Sequence, residues 1–146
     1  MTTRHLVDPE LAPMLERFPE LHLSRETLLQ ARARLAEMTA RSAGLLPAFR
    51  HIAVTERRVP GPAGAPEVRV LVYLPENAPR PLPALLWMHG GGYVLGSAAD
   101  EDQLVKAIVV AVGCAAVSVD YRLAPETPHP GPVEDCYAAL KWLHEG

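Results

Sequence analysis

The segment HGGGYVLGS, residues 89–97, combines residue types whose spacing could support chemistry. Gly90, Gly91 and Gly92 follow one another, although an ordered glycine loses more conformational entropy than any other residue. A plain turn between a strand and a helix needs one glycine or two. Three glycines indicate that the backbone approaches a ligand or presents its N–H groups to one, because a side chain would obstruct either arrangement.

A phosphate site is the first chemistry that a glycine loop before a helix could serve. The dinucleotide-binding pattern G-x-G-x-x-G fails because its last position is Leu95. The P-loop spacing does occur from Gly91 to Gly96, but Ser97 stands where that motif requires a lysine. The segment therefore lacks the charged contact of a nucleotide site. Another chemistry that such a loop can serve is donation of backbone hydrogen bonds to the oxyanion of an acyl-transfer reaction.

Two segments carry a family resemblance: HGGGYVLGS at 89–97 and DYRLAPETPHPGPVEDCYAALKWL at 120–143. Together they resemble the hormone-sensitive-lipase-like branch of the α/β-hydrolase esterases, in which an HGGG loop forms the oxyanion hole. The match covers most of the chain from about residue 51, and residues 1–45 look like the start of that branch's cap. The resemblance implies a carboxylic ester hydrolase, an esterase or lipase of short to medium acyl esters, without a metal or an organic cofactor.

The resemblance also implies roles for individual residues. Gly91 and Gly92 take the place of the family's oxyanion donors, Gly90 gives the turn its freedom, and His89 resembles a residue that holds the loop. We expect a branched side chain at Gly91 to lower turnover far more than stability. Four further residues match a motif that packs beneath the site, and they are not assigned a catalytic role: Asp120, Tyr121, Arg122 and Glu126.

The nucleophile of such an enzyme is absent from the 146 residues. No serine lies in a G-x-S-x-G segment, and the acid and the histidine of the triad follow that serine in chain order. A substitute triad of Ser97, Asp120 and His129 is disfavoured. Ser97 is better explained as a helix cap, Asp120 as a strand-end residue, and His129 as part of a proline-rich loop.

We therefore expect the chain to supply the oxyanion-hole loop and the cap but no triad residue, and to be inactive alone. A non-catalytic module, truncated or ligand-binding, is the alternative, because a fold does not settle a function.

The elements that position the loop follow from the placement of proline and from apolar periodicity. All 15 prolines lie outside residues 84–124, so that window can hold uninterrupted strands and helices. Residues 1–45 predict two amphipathic helices that begin near Asp8 and Ser24 and cover a later core. Their apolar stripes are Leu11, Leu15 and Phe18, then Leu28, Leu35 and Met38.

From residue 51 onward the pattern becomes that of strands. Residues 51–61 and 67–75 predict a hairpin, and 83–88 predicts a strand that is covered on both faces. A largely buried helix, capped by Ser97, is then predicted to end at Gly113. A buried strand over 114–121 and a helix opened by Pro132 follow, with a buried stripe of Val133, Tyr137 and Leu140.

This order predicts the N-terminal portion of an α/β-hydrolase fold, a mostly parallel sheet with an antiparallel edge, preceded by cap helices. The expected division is 1–45 for the cap helices and 46–146 for the first half of the catalytic domain. The family's strand order would leave 83–88 beside an empty strand position, and an unpaired apolar edge promotes association. We therefore expect a partner: the C-terminal half of the same enzyme, a second chain, or a second copy in a homo-oligomer.

Composition excludes several other function classes. The chain is 49% apolar and 21% charged with a net charge of −3, which is typical of a globular domain and gives no electrostatic basis for nucleic-acid binding. Cys114 and Cys136 form no CxxC pair and are expected to be buried thiols in the cytoplasm. The longest apolar run, 107–119, is too short to span a membrane. Four histidines show no metal-ligand spacing: His5, His22, His51 and His144.

Overall fold

A computed structural model describes residues 3–15, 23–43 and 49–145. Its helices are α1 (Ala12–Leu15), α2 (Leu28–Ala43), α3 (Asp102–Val112) and α4 (Gly131–Glu145). Its strands are β1 (Ile52–Val59), β2 (Val68–Pro75), β3 (Ala84–Met88) and β4 (Ala115–Asp120). Two short 3-10 segments lie at Arg4–Leu6 and Ala98–Glu101. None of the helices within these ranges is long and apolar enough to cross a membrane.

The four strands form one mixed sheet in the order β1-β2-β4-β3. β1 and β2 are an antiparallel hairpin, and β2 also pairs antiparallel with β4. β3 pairs parallel with β4, with Ala84 opposite Ala115 and Met88 opposite Val119. The predicted α/β class, the hairpin and the antiparallel edge are confirmed, and the parallel part of the sheet within the described residues is the β3–β4 pair.

The core lies on both faces of the sheet because side chains of a strand alternate between faces. On β2, Leu71 and Tyr73 point toward α3, where they pack with Val105 and Val109. Val70 and its same-face neighbours on β4 pack against α4 in a second cluster. α3 and α4 therefore cover opposite faces, and the C-terminal ends of β3 and β4 lie side by side between them.

β3 is an edge strand in the part of the chain that the structure describes. The prediction that it is covered on both faces is wrong for this structure: Ala84 and Met88 are exposed and the three residues between them are half-buried. Apolar continuity shows that a strand requires cover, but it does not show that the cover is present in the same chain. Met88, at 56% exposure, is the exposed large apolar side chain at the end of the strand.

The two helices beside the sheet also differ from expectation. α3 ends at Gly113 in the left-handed conformation as predicted, but Leu104, Val110 and Val112 are exposed, so the helix is only half buried. On α4 the predicted buried stripe is wrong, because its members are all exposed: Val133, Tyr137 and Leu140. The helix instead turns its small residues toward the sheet, which lets its backbone approach closely; the buried set includes Cys136, Ala138 and Ala139.

At the N-terminus, α2 agrees with the second predicted helix. The Ser24 hydroxyl accepts a hydrogen bond from the Thr27 N–H at 3.3 Å, one turn before the helix begins at Leu28. Leu28 and Ala31 are buried against Leu95, which fixes α2 over the glycine loop. Of the predicted stripes, Leu11 and Met38 are exposed and Leu35 is half-buried. Phe18 and the side chain of Leu15 lie outside the described residues.

Candidate functional site

The glycine loop lies between the end of β3 and the 3-10 segment at Ala98–Glu101. Its turn is closed by the carbonyl of Gly91, which accepts hydrogen bonds from the N–H groups of Val94 at 3.2 Å and Leu95 at 3.0 Å. Gly91, Gly92 and Tyr93 all have positive φ angles, of 124°, 61° and 64°. Such a run is accessible to glycine and costs a residue with a side chain about 1–2 kcal/mol. The loop conformation thus explains two of the three glycines.

The amides of the loop differ in what they bind. Gly90 N–H donates to Glu101 Oε1 at 3.0 Å. The N–H groups of Gly91 and Gly92 make no hydrogen bond with any residue that the structure describes, and both residues are exposed. Two consecutive free amides are the arrangement that an oxyanion needs, because donors already in place require no reorganisation during the reaction.

Gly91 and Gly92 respond differently to an added side chain. A Cβ at Gly91 would lie 2.1 Å from the carbonyl oxygen of Leu95, whereas one at Gly92 would meet nothing within 4 Å. A branched residue at Gly91 must therefore change the backbone of the turn itself. This result removes the basis for expecting a selective loss of turnover at Gly91, because the turn and the donors would be lost together.

His89 lies beneath the loop and is 4% exposed. Its Nδ1–H donates to the Gly90 carbonyl at 2.8 Å, since a carbonyl oxygen can only accept, and Nε2 is buried with no partner among the described residues. Tyr121 stacks on the imidazole and donates its hydroxyl to the His89 carbonyl at 2.7 Å. Burial raises the pKa of Tyr121 to about 12, so the hydroxyl stays a donor at neutral pH.

Glu101 is a site residue that the sequence pattern does not single out. One carboxylate oxygen accepts from Gly90 N–H, and the other accepts from Trp87 Nε1 at 2.6 Å. Glu101 therefore links the glycine loop to Trp87, the penultimate residue of strand β3. The only sequence signal would have been an acid shortly after the loop, which does not identify its partners.

The other motif residues are engaged in contacts that hold neighbouring loops. Asp120 accepts from the Ala98 N–H and from Arg69 Nη1, both at 2.9 Å. Arg122 donates three hydrogen bonds to the carboxylate of Asp135, which is 1% exposed. These contacts agree with the expectation that the motif supports the site.

Glu126 receives two hydrogen bonds from Arg32 of α2, at 2.8 and 3.0 Å. This contact lowers the pKa of the Glu126 carboxyl.

The substitute triad is not assembled. Ser97 donates its hydroxyl to Asp100 Oδ2 at 2.9 Å rather than to a histidine. It stands at the N-cap of the 3-10 segment, but its side chain makes no capping bond to the backbone, so that prediction is wrong in detail. His129 is exposed, and no hydrogen bond joins it to Ser97 or Asp120 in the described ranges.

A cavity of about 280 Å³ opens beside the free amide of Gly92. Its lining is mainly apolar: Met88, His89, Gly92, Tyr93, Tyr121, Val133 and Cys136. Burial raises the pKa of Cys136 to about 11, so this thiol is protonated at neutral pH. An apolar cavity lined by Gly92, next to the free amide of Gly91 in the sequence, fits a small neutral molecule with one carbonyl oxygen.

Metal-binding groupings are absent among the described residues. His5, His51 and His144 are exposed, and His22 lies outside the described ranges. Cys114 and Cys136 are free and buried, as predicted.

Comparison with known proteins identifies the fold. A sequence profile described as the α/β hydrolase fold matches residues 85–146. The structure of a bacterial heroin esterase superposes on 99% of the chain with a TM-score of 0.85 at 40% sequence identity, and the chain covers 44% of that structure. The chain has the α/β-hydrolase fold.

Relatives of this α/β-hydrolase chain include carboxylesterase NlhH of Mycobacterium tuberculosis, to which it is 37% identical over 139 residues. That match covers 95% of the chain and 42% of NlhH. An esterase of Pyrobaculum calidifontis matches 96% of the chain at 31% identity with a TM-score of 0.77, and 43% of that structure is covered. The resemblance to hormone-sensitive-lipase-like esterases is confirmed, and the chain spans less than half the length of these relatives.

Proposed function

We propose that this chain supplies the oxyanion-hole loop and the N-terminal cap helices of a carboxylic ester hydrolase. The observation that carries the proposal is the pair of consecutive N–H groups on Gly91 and Gly92 that are unbonded among the described residues, in a loop whose Gly92 lines an apolar cavity. The esterases to which the chain is similar support it. Residues 1–45 form the cap and residues 46–146 the first part of the catalytic domain.

The proposed mechanism is that of a serine hydrolase. A serine outside these 146 residues attacks the ester carbonyl carbon as a histidine removes its proton, and the carbonyl electrons move onto oxygen. Gly91 and Gly92 donate hydrogen bonds to that oxyanion, each worth about 3 kcal/mol of barrier in comparable sites. The histidine then gives its proton to the departing alcohol, and water releases the acid from the acyl-enzyme in a second step.

The proposed partner is the remaining part of the same enzyme, or a second chain that provides it. The edge of β3 is available for another strand, and Met88, Val133 and Tyr137 place exposed apolar side chains near that edge and on α4. Association of copies through this surface is the third arrangement. We propose a cytoplasmic location, which the two free, buried thiols support.

The test uses the complete enzyme, meaning residues 1–146 together with the segment that carries a G-x-S-x-G serine. We expect hydrolysis of p-nitrophenyl acetate, butyrate and octanoate, and loss of turnover when that serine is replaced by alanine. Residues 1–146 alone are expected to show no enzymatic turnover. Turnover by the isolated chain would show that the nucleophile has been assigned to the wrong place.

A non-catalytic module is the second candidate, because no G-x-S-x-G segment occurs in the 146 residues. It predicts that the complete protein binds an ester in the cavity beside Gly92 without consuming it. Equilibrium dialysis with the ester, followed by product analysis, distinguishes the two candidates.

A further inference from the structure

Arg32 connects helix α2 to two loops that are far away in the sequence. Its Nε donates to the carbonyl of Val94 at 2.8 Å, and Nη2 donates to the carbonyl of Ala124 at 2.8 Å. The same guanidinium makes the forked contact with Glu126. Its side chain is 22% exposed, so most of it lies between α2 and the loops.

The two carbonyls flank the point where the loops meet. Ala124 N–H donates to the carbonyl of Tyr93 at 2.8 Å, and Val94 is the next residue of the glycine loop. The guanidinium of Arg32 therefore binds on both sides of an existing backbone hydrogen bond. Planar donors in a fixed fork suit such a position, whereas an ammonium group can satisfy fewer of these acceptors at once.

We propose that Arg32 is a positioning residue of the oxyanion hole: through Val94 it holds the turn that directs the N–H groups of Gly91 and Gly92. The inference rests on the proposed ester hydrolysis. Under this proposal α2 must be docked on the loop for the oxyanion hole to form, so the helix does more than cover the substrate.

The route from Arg32 to the donors is short. The Val94 carbonyl accepts a hydrogen bond from Arg32 Nε, and the Val94 N–H donates to the carbonyl of Gly91. Tyr93, just before it, has a φ of 64°, a conformation that a residue with a side chain keeps only where its surroundings impose it. Without Arg32, Tyr93 can relax to negative φ, and this rotation turns the preceding peptides of Gly92 and Gly91.

The ion pair with Glu126 does not by itself explain why the Arg32 side chain is held between α2 and the two loops. The Glu126 side chain is 57% exposed, and exposed ion pairs contribute little to stability. The bonds to Val94 and Ala124 are to backbone acceptors in a partly buried place, where a lost donor leaves the carbonyl unsatisfied. Glu126→Ala removes only the ion pair, whereas Arg32→Met also removes the hydrogen bonds to the two backbone carbonyls. The two substitutions therefore separate these contributions.

Arg41 offers a matched control on the same helix. It forms an exposed pair with Glu37, one turn apart, and no hydrogen bond or ion pair joins it to either loop among the described residues. Arg32→Met and Arg41→Met remove the same group from α2, but only the first removes a contact with the loop.

The experiment measures kcat, KM and inhibition by a trifluoromethyl ketone, an analogue of the tetrahedral intermediate, in the complete enzyme. For Arg32→Met we expect kcat to fall about 10- to 100-fold, the loss typical of a small misplacement of catalytic groups. KM is expected to change by less than about threefold, since the oxyanion contact forms in the transition state. The affinity of Arg32→Met for the ketone should fall in parallel with its kcat/KM. Arg32→Lys should recover part of the kcat and part of the ketone affinity, and Glu126→Ala should lose less of either than Arg32→Met does. Arg41→Met should match the wild type in both quantities.

Hydrogen exchange gives a readout that does not depend on activity. Amides of residues 93–95 are expected to exchange faster in Arg32→Met than in Arg41→Met, and Arg32→Lys provides the same comparison if Arg32→Met does not fold. Unchanged exchange, or unchanged kcat and ketone affinity, overturns the role of Arg32. Absence of ester turnover in the wild type overturns the proposed function instead, and exchange then still decides whether Arg32 holds the loop.

Discussion

Tyr121 bonds to the backbone of His89 and stacks on its side chain at the same time, with a 2.7 Å hydrogen bond to the carbonyl and 4.1 Å between the ring centroids. The first residue after β4 thereby supports the first residue after β3. Because His89 in turn bonds to the Gly90 carbonyl, the stack fixes the start of the glycine loop.

Tyr121→Phe separates the hydrogen bond from the stack. We expect the free energy of unfolding at pH 8 to fall by about 1 kcal/mol, the usual value of one hydrogen bond, while the stack remains. Tyr121→Leu removes both the hydrogen bond and the stack, so it should lower kcat more than Tyr121→Phe does. Urea unfolding and ester turnover of the complete enzyme measure the two effects, and equal behaviour of the two variants would contradict a role for the stack.

The same tyrosine predicts a dependence on pH. Its pKa is raised to about 12 in the folded chain against 10 in an unfolded one, mainly by burial. Its stabilisation is therefore fully present below pH 10 and is lost as the pH rises from 10 to 12. Tyr73 and Cys136 also have raised pKa values, so the difference between wild type and Tyr121→Phe isolates this group. That difference in unfolding free energy should shrink across the interval.

Glu101→Gln tests the link between β3 and the loop. A glutamine has only one acceptor oxygen, so its amino group must face either Trp87 Nε1 or Gly90 N–H, both of which are donors. We expect kcat to fall about tenfold because the loop loses one of its supports. Glu37→Gln, an exposed acid on α2, should leave turnover unchanged. Full activity of Glu101→Gln would show that the loop is held without this carboxylate.

Gly96 and Gly64 form a matched pair for testing the space beneath the loop. Both have left-handed φ angles, of 87° and 78°. A Cβ at Gly96 would lie 2.6 Å from the Gly90 carbonyl and 2.8 Å from His89 Nδ1, whereas at Gly64 it meets nothing within 4 Å.

Alanine at Gly64 should therefore cost only the backbone strain, about 1–2 kcal/mol, with no change in kcat. Gly96→Ala should cost the same strain and, in addition, lower kcat by displacing His89 and the loop. Thermal unfolding and kcat of both variants make the comparison, which fails if the two substitutions have the same effect on kcat.

Residues 1–146 expressed alone are expected to associate. Within the described part of the chain β3 is an apolar edge strand, and an open edge pairs readily with another strand. Light scattering should show a particle size that grows with concentration, and addition of the remaining part of the enzyme should reduce it. A monodisperse monomer that melts cooperatively would contradict this prediction.

Much of the secondary structure could be predicted from local patterns in the sequence. The β1–β2 hairpin, the strands 83–88 and 114–121, and the end of α3 at Gly113 each depend on neighbours in sequence, and they are confirmed. The glycine loop was also visible, because three adjacent glycines have few structural uses.

Contacts between distant segments could not be predicted in this way. Arg32 and Val94 are 62 residues apart, and the helical pattern of α2, which places Glu37 one turn from Arg41, gives no partner for Arg32. The stripe of Val133, Tyr137 and Leu140 shows the other limit: periodicity identified an apolar face, but burial depends on what stands opposite.

The bridge made by Arg32 recognises main-chain carbonyls at positions 94 and 124. Every amino acid carries that acceptor, so the identity of the side chains there is not part of the recognition. Enzyme engineering can exploit this separation: Ala124 can be varied in a library aimed at new substrates while Arg32 and Glu126 are kept fixed, whereas Val94 is kept apolar because its side chain packs against the Leu28 cluster. Variation in selectivity is thereby uncoupled from the geometry that stabilises the transition state.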